Sequence, residues 1–232
     1  ISSICYIYIL MHNWTPKNII KKIILHFLKF INYSIIKFYQ HAIPEEFKRQ
    51  PPTYRKAYDI HLENEIRLGY EHFKKYFDTC VIVKTRHDSR IYAIKEALKN
   101  HQSGDYYLEF GVFRGNSINA TSTFLKDKTI YGFDSFEGLR ESWVGSILPK
   151  GTFNLNKKVP KLRKNCIPVV GWVQDTLPRF LKEKEITINF VHLDVDTYES
   201  TKFILKNIKP HLKDQAFIVF DELYNFSGWK VG

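Results

Sequence analysis

Residues 105–134 read DYYLEFGVFRGNSINATSTFLKDKTIYGFD. An apolar run, Tyr106–Phe110, ends in Gly111, and a second glycine, Gly115, follows shortly after. Asn116–Lys126 is helix-like, and a second apolar run, Ile130–Phe133, ends on Asp134. Strand, glycine turn, helix and a strand closed by an acid is the opening of a nucleotide-binding βαβ unit. Glycine lets the backbone approach a ligand closely and take turn conformations closed to other residues. An acid about 20 residues beyond such a turn can accept hydrogen bonds from ribose hydroxyls. The spacing here is E-x-G-x-x-x-G (Glu109, Gly111, Gly115), not the dinucleotide G-x-G-x-x-G. Taken alone, it serves equally well as a tight strand-to-helix connection.

What lies downstream decides between these. Ile167–Val173, Ile188–Leu193 and Ala216–Phe220 read as three more strands, separated by helix-like stretches. All are almost wholly apolar, with no alternation, which is the pattern of a parallel sheet covered on both faces by helices. The expected fold is therefore α/β, a Rossmann-like, doubly wound, mostly parallel sheet. Thr176 is expected to cap a helix that Pro178 helps to begin. Lys157–Asn165 is expected to form a short helix broken by Pro160. His192, inside the fourth strand, is expected to pack in the core.

Asp134, Asp175, Asp194 and Asp221 each stand at the carboxyl end of a different strand, the edge where open α/β sheets bind ligands. Ser135 and Phe136 directly follow Asp134 and can flank a nucleoside. Asp175 reads equally as an acceptor for an exocyclic amine such as that of adenine and as a helix N-cap. Two acids are doubled, as Asp194/Asp196 and Asp221/Glu222. Neighbouring carboxylates repel unless a cation or a shared proton offsets them. An all-oxygen set suits Mg²⁺, and Asp194 and Asp221 come from strands expected to be adjacent.

The rest of the chain bounds the setting. With 232 residues, 44% hydrophobic and 16% aromatic, it can bury a substantial core. Its three cysteines, Cys5, Cys80 and Cys166, are scattered, with no zinc spacing or disulfide framework. A reducing, cytoplasmic compartment is expected. The net charge of +11 is uneven: residues 1–104 hold 17 Lys+Arg against 9 Asp+Glu, whereas residues 105–232 hold 18 against 15. A nearly balanced ligand-binding half speaks against a nucleic-acid partner. Residues 1–85 are expected to be a helical N-terminal region, and residues 86–232 the ligand-binding domain. Residues 18–39 form a basic amphipathic pattern, apolar at Ile20, Ile23, Ile24, Phe27, Leu28, Ile31 and Ile35. Such a helix covers its own domain, rests on an anionic membrane surface or docks a partner. Homo-oligomerisation is left open. Tyr58–Phe77 and Arg90–Asn100 read as two further helices.

The stretches LEFGVFRGNS, YGFDSFEGL, VGWVQDTLP, HLDVDTYESTK and IVFDELYNFSGW, in that order, resemble the macrocin O-methyltransferase (TylF-type) family. These are class I S-adenosylmethionine-dependent methyltransferases acting on sugar hydroxyls. The resemblance covers about Arg86–Gly232. It implies that Glu109, Gly111, Gly115 and Asp134 bind the methionine and ribose parts of S-adenosylmethionine and that Asp175 approaches the adenine. It implies Mg²⁺ on Asp194, Asp221 and Glu222, with Asp196 as an outer-shell group or base and a sugar-like hydroxyl compound as acceptor. Arg140 departs from the family, which usually has Pro there. The sheet of this class has seven strands and only five are readable, so the resemblance implies a longer native protein, with two strands beyond Gly232. The competing readings are an NAD-type oxidoreductase, which lacks its glycine turn here, a non-enzymatic binding or scaffold module, and an RNA methyltransferase.

Overall fold

The computed structural model describes residues 53–230 except 184 and 225, together with residues 24, 27, 28, 30 and 31. Apart from those five positions, which are helical, the amphipathic pattern of residues 18–39 lies outside the described residues. The chain divides into two compact units, Ile1–Lys56 and Ala57–Gly232.

The second unit holds a five-stranded, wholly parallel sheet. Its strands are β1 (Asp105–Phe110), β2 (Ile130–Asp134), β3 (Cys166–Val170), β4 (Thr187–Leu193) and β5 (Leu212–Phe220). They lie in the order β3-β2-β1-β4-β5. The helices are α1 (Thr53–Phe77), α2 (Arg86–Lys99), α3 (Asn116–Leu125), α4 (Val173–Lys182) and α5 (Tyr198–Ile208). The order reverses between β1 and β4, which opens a crevice at their carboxyl ends. This is the Rossmann-like architecture the apolar runs predict.

Both faces of the sheet are dry, which explains why its strands do not alternate. Tyr107, Ile130 and Phe190 pack with Ile94 and Ala97 of α2 and with Ile118 and Leu125 of α3. Their neighbours Leu108, Phe110, Phe133, Val191 and Leu193 face the other way, toward Leu177 and Phe180 of α4 and Ile204 and Ile208 of α5. Each fully buried side chain of this size contributes about 1.5–3 kcal/mol.

Three local expectations need correction. Lys157–Asn165 forms no helix. Asn156 and Lys157 take positive φ (52° and 61°), and the Asn119 side chain donates to the Lys161 carbonyl (3.1 Å) and accepts from the Arg163 amide (2.8 Å). These tertiary bonds replace the helical ones. The third strand stops at Val170, and Val173 begins α4. Thr176 is therefore inside the helix, where its hydroxyl donates to the Trp172 carbonyl (3.1 Å) instead of capping. Helix α2 starts four residues earlier than the apolar pattern, because Thr85 caps it by accepting from the Asp88 amide (3.1 Å).

Beyond β5, the chain doubles back onto α1. Phe73 stacks near Tyr224 and Trp229 (ring centroids 4.6 and 6.2 Å). The Trp229 indole donates to the Glu65 carbonyl (3.3 Å), and His61 bonds Ser227 (3.1 Å). Trp143, in the long loop between β2 and β3, packs edge-on against Phe226 (6.1 Å). Among the described residues, no helix is long and apolar enough to cross a membrane.

Candidate active site

The strand ends are stitched into one row. Just past the ends of β3, β1, β4 and β5, Gly171 N donates to Asp134 O (3.0 Å), Gly111 N to Phe133 O (2.9 Å), Asp194 N to Phe110 O (2.8 Å) and Asp221 N to Leu193 O (2.9 Å). The acids that end β2, β4 and β5 thus stand level along one edge. A cavity of about 470 Å³ opens there, within the usual range for small-molecule sites.

The turn after β1 forms one wall. Gly111 has φ +87°, and a β-carbon on it would fall 1.7 Å from the Asp194 carbonyl oxygen. Gly115, at φ +78°, starts α3 without any side-chain cap, so the first amides of that helix keep no side-chain partner from the cap position. Asp134 holds the turn in place. Its Oδ2 accepts from the amides of Val112 (2.8 Å) and Phe113 (2.7 Å), and its Oδ1 from that of Phe136 (2.7 Å). A carboxylate offers about four lone-pair sites, so Oδ1 keeps capacity for one more donor.

Of the residues expected at the site, Gly111, Asp134, Ser135 and the acids Asp194, Asp196, Asp221 and Glu222 line the cavity. Glu109, Gly115 and Asp175 are not among its lining residues. Glu109 is fully buried and accepts from the Ser117 hydroxyl (2.6 Å). Asp175 stands exposed on the first turn of α4, and Gln174 lines the wall there. Gln174 Oε1 is a buried acceptor with no hydrogen-bond partner among the described residues.

Sequence reasoning missed three participants. His192 is buried, as expected, but it sits between two carboxylates. Its Nδ1 lies 3.1 Å from Glu109 Oε2, without the alignment of a hydrogen bond, and its Nε2 lies 3.7 Å from Asp221 Oδ1. Arg86 and Arg90, one turn apart on α2, reach the acids at the end of β5. Arg86 pairs with Asp221 (2.5 Å) and Glu222 (3.1 Å), and Arg90 pairs with Asp221 (2.8 Å). The i, i+4 spacing of the arginines was a readable signal. Which strand end that face of α2 meets was not.

Crowded carboxylates in a half-dry cleft titrate abnormally. Burial, followed by the charge of Asp221, pushes Asp194 up to about 7. Burial and the same neighbour push Asp196 up to about 6 and Glu222 up to about 8. Asp221 goes the other way. Burial opposes its charge, but His192, Glu222 and Arg86 outweigh burial and hold it well below the usual carboxylate range. Burial also opposes charge on His192, yet Asp221 and Glu109 overcome it and hold the imidazole at about 9. Asp194, Asp196, Glu222 and His192 therefore bind protons more tightly folded than unfolded, and stability falls as pH rises through their folded pKa values. In chelator-treated buffer, the thermal midpoint is expected to drop by several degrees between about pH 5 and about pH 9. A flat or rising midpoint across that window would contradict this charge arrangement.

One ligand oxygen from each of Asp194, Asp196 and Glu222 lies within 4.8 Å of the others, and Asp194 and Asp221 form a similar group with His192. The first set is all oxygen and fits a hard divalent cation. Asp221 has both oxygens engaged by arginine, so it stands apart from the first set.

A family described as "Methyltransferase domain" matches residues 108–223. The 8-demethyl-8-(2,3-dimethoxy-alpha-L-rhamnosyl)-tetracenomycin-C 4'-O-methyltransferase of Streptomyces olivaceus is 27% identical over 198 residues, 75% of this chain and 73% of that protein. The demethyldecarbamoylnovobiocin O-methyltransferase of Streptomyces niveus is 24% identical over 206 residues, 77% of this chain and 71% of that one. Among solved structures, the calicheamicin methyltransferase CalS11 aligns with a TM-score of 0.49 at 20% identity, covering 75% of this chain and 80% of that one.

Proposed function

From the premise that the chain belongs to the methyltransferase domain family, we propose that it is a TylF-type, S-adenosylmethionine-dependent O-methyltransferase, assisted by Mg²⁺, whose acceptor is a hydroxyl of a sugar or other polyhydroxyl small molecule. The observation that carries this reading is the placement of the glycine turn, Asp134 and the acids of β4 and β5 around one cavity. The names of two relatives give O-methyl transfer, and one gives a rhamnosyl-bearing acceptor.

The residues present fit the cofactor. The free capacity of Asp134 Oδ1 suits a ribose hydroxyl, with Ser135 beside it. The unpartnered Gln174 Oε1 suits the adenine amine, a role the family resemblance implied for the adjacent Asp175. Gly111 lets the turn pass close to the ligand. Gly115 starts the helix whose Ser117 fixes Glu109, so these two residues shape the methionine end from behind. When bound, the cofactor supplies a sulfonium methyl open to attack by oxygen. Asp194 and Glu222 would hold the divalent cation, with Asp221 beside them, and the cation would supply positive charge that orients the acceptor and acidifies its hydroxyl. Asp196, which lines the cavity beside Asp194 and Glu222, would be the general base that takes the hydroxyl proton as the new C–O bond forms and the methyl–sulfur bond breaks, leaving S-adenosylhomocysteine. The remaining work is positioning. A cytoplasmic location belongs to this proposal and rests on the unpaired thiols of Cys80 and Cys166.

Calorimetric titration of the full chain with S-adenosylhomocysteine, with NADH in parallel, tests this first. One-site binding of S-adenosylhomocysteine and none of NADH is expected, followed by methyl transfer to a panel of rhamnosides that stops when EDTA is added. A folded protein that ignores S-adenosylhomocysteine would end the methyltransferase reading, and NADH binding in its place would favour an oxidoreductase.

A further inference from the structure

The two arginines of α2 are not equivalent. Arg90 is 16% exposed and, among the described residues, pairs with Asp221. Arg86 is 69% exposed and bridges Asp221 and Glu222. A guanidinium sunk beside its partner is fixed by the cost of leaving that partner unpaired. Asp221 itself is only 6% exposed, but Arg90 stays paired with it, so the mostly solvated Arg86 can leave without stranding a buried charge.

Arg86 also occupies an unfavourable place on its helix. It is the first residue of α2, after the Thr85 cap, at the end where the helix dipole disfavours positive charge. What holds its charge there is chiefly the Asp221 carboxylate at the end of β5, with Glu222 beside it. Glu222 is one of the three acids grouped for a hard cation, and Arg86 touches one of its oxygens. Arg86 therefore supplies, from the side, the positive charge that a divalent ion would bring.

We propose that Arg86 is a displaceable counter-cation. It neutralises Asp221 and hydrogen-bonds Glu222 when the acidic group holds no ion, and it gives way when a divalent cation enters, while Arg90 keeps Asp221 in position. The first turn of α2 thereby senses whether the site is loaded. The inference rests on the proposed metal reading.

The test uses the full chain, with Mn²⁺ alone as the probe. Calorimetry should show Arg86→Gln binding Mn²⁺ roughly tenfold more tightly than wild type, because a competing charge is gone. Arg86→Lys, which keeps the charge, should stay near wild type. Phenylglyoxal labelling followed by peptide mapping should show Arg86 reacting faster once Mn²⁺ is added. Unchanged or weaker affinity in Arg86→Gln, tightening in Arg86→Lys equal to that in Arg86→Gln, or labelling of Arg86 that Mn²⁺ does not accelerate would each overturn the proposal. These outcomes leave the metal reading intact. Absence of Mn²⁺ binding to both wild type and Arg86→Gln, with S-adenosylhomocysteine binding preserved, would instead overturn the metal reading and this inference with it.

Discussion

Gly111→Ala is expected to be severely damaging for a single-methyl change, costing more than about 4 kcal/mol or preventing soluble expression. Two independent effects add. At φ +87° an L side chain is strained, by roughly 1–2 kcal/mol. The new β-carbon would also fall 1.7 Å from the Asp194 carbonyl oxygen and 2.7 Å from its carbon. Neither backbone can retreat. Gly111 N is bonded to Phe133 O (2.9 Å) and Asp194 N to Phe110 O (2.8 Å), so any shift breaks the row that aligns the strand ends. Gly115→Ala is the internal comparison. Its conformation is strained as well, but the nearest atom is a methyl of Leu162 at 2.6 Å, and a side chain can swing aside. Chemical denaturation of the two variants should separate them by about 2 kcal/mol or more. A wild-type midpoint for Gly111→Ala would mean that the strand ends are not joined as described.

Asp134→Ala is expected to weaken binding of S-adenosylhomocysteine by about a hundredfold or more, equivalent to about 2.7 kcal/mol. The loss has two parts. Three amides, of Val112, Phe113 and Phe136, lose their acceptor, and each charge-assisted bond is worth about 1.5–3 kcal/mol. The turn after β1 and the loop after β2 then come apart, and the acceptor proposed for the ribose goes with them. Asp134→Asn should fall between, because its single carbonyl oxygen can serve Val112 and Phe113 or Phe136, but not both sides. Calorimetry decides the affinity, and the thermal midpoint reports how much of the loss is structural. Undiminished binding in Asp134→Ala would remove this residue from the site.

The sheet and its acidic edge were legible because they are local. An apolar run, a turn and a terminal acid recur along the chain, and burial on both faces leaves strands without polar alternation. What stayed hidden depended on partners distant in sequence. Lys157–Asn165 reads as a short helix, yet Asn119, some forty residues earlier, ties it down outside a helix through two hydrogen bonds. Asp175 and Gln174 differ only in helical phase, which depends on where α4 begins. That point moved when the third strand ended at Val170. His192 follows the rule that a residue in a buried strand is buried. That it lies between Glu109 and Asp221 requires β1, β4 and β5 to be neighbours in that order. Arg86 lay outside the helix read from Arg90 onward, and nothing local in the sequence tells that α2 meets the end of β5.

The return of the chain onto α1 after β5 carries a kinetic consequence. Trp229, Lys230 and Ser227 meet Glu65 and His61 across 164, 165 and 166 residues. Loops of that length close late, after the local βαβ pairings have formed. Asp221 and Glu222 lie directly before this returning segment, so during refolding the half of the cleft built around the glycine turn should mature before the acidic half. The nucleoside binding proposed for the glycine turn would then be regained ahead of methyl-transfer activity, with a lag between the two set by the docking of the last few residues onto the first helix of the sheet unit.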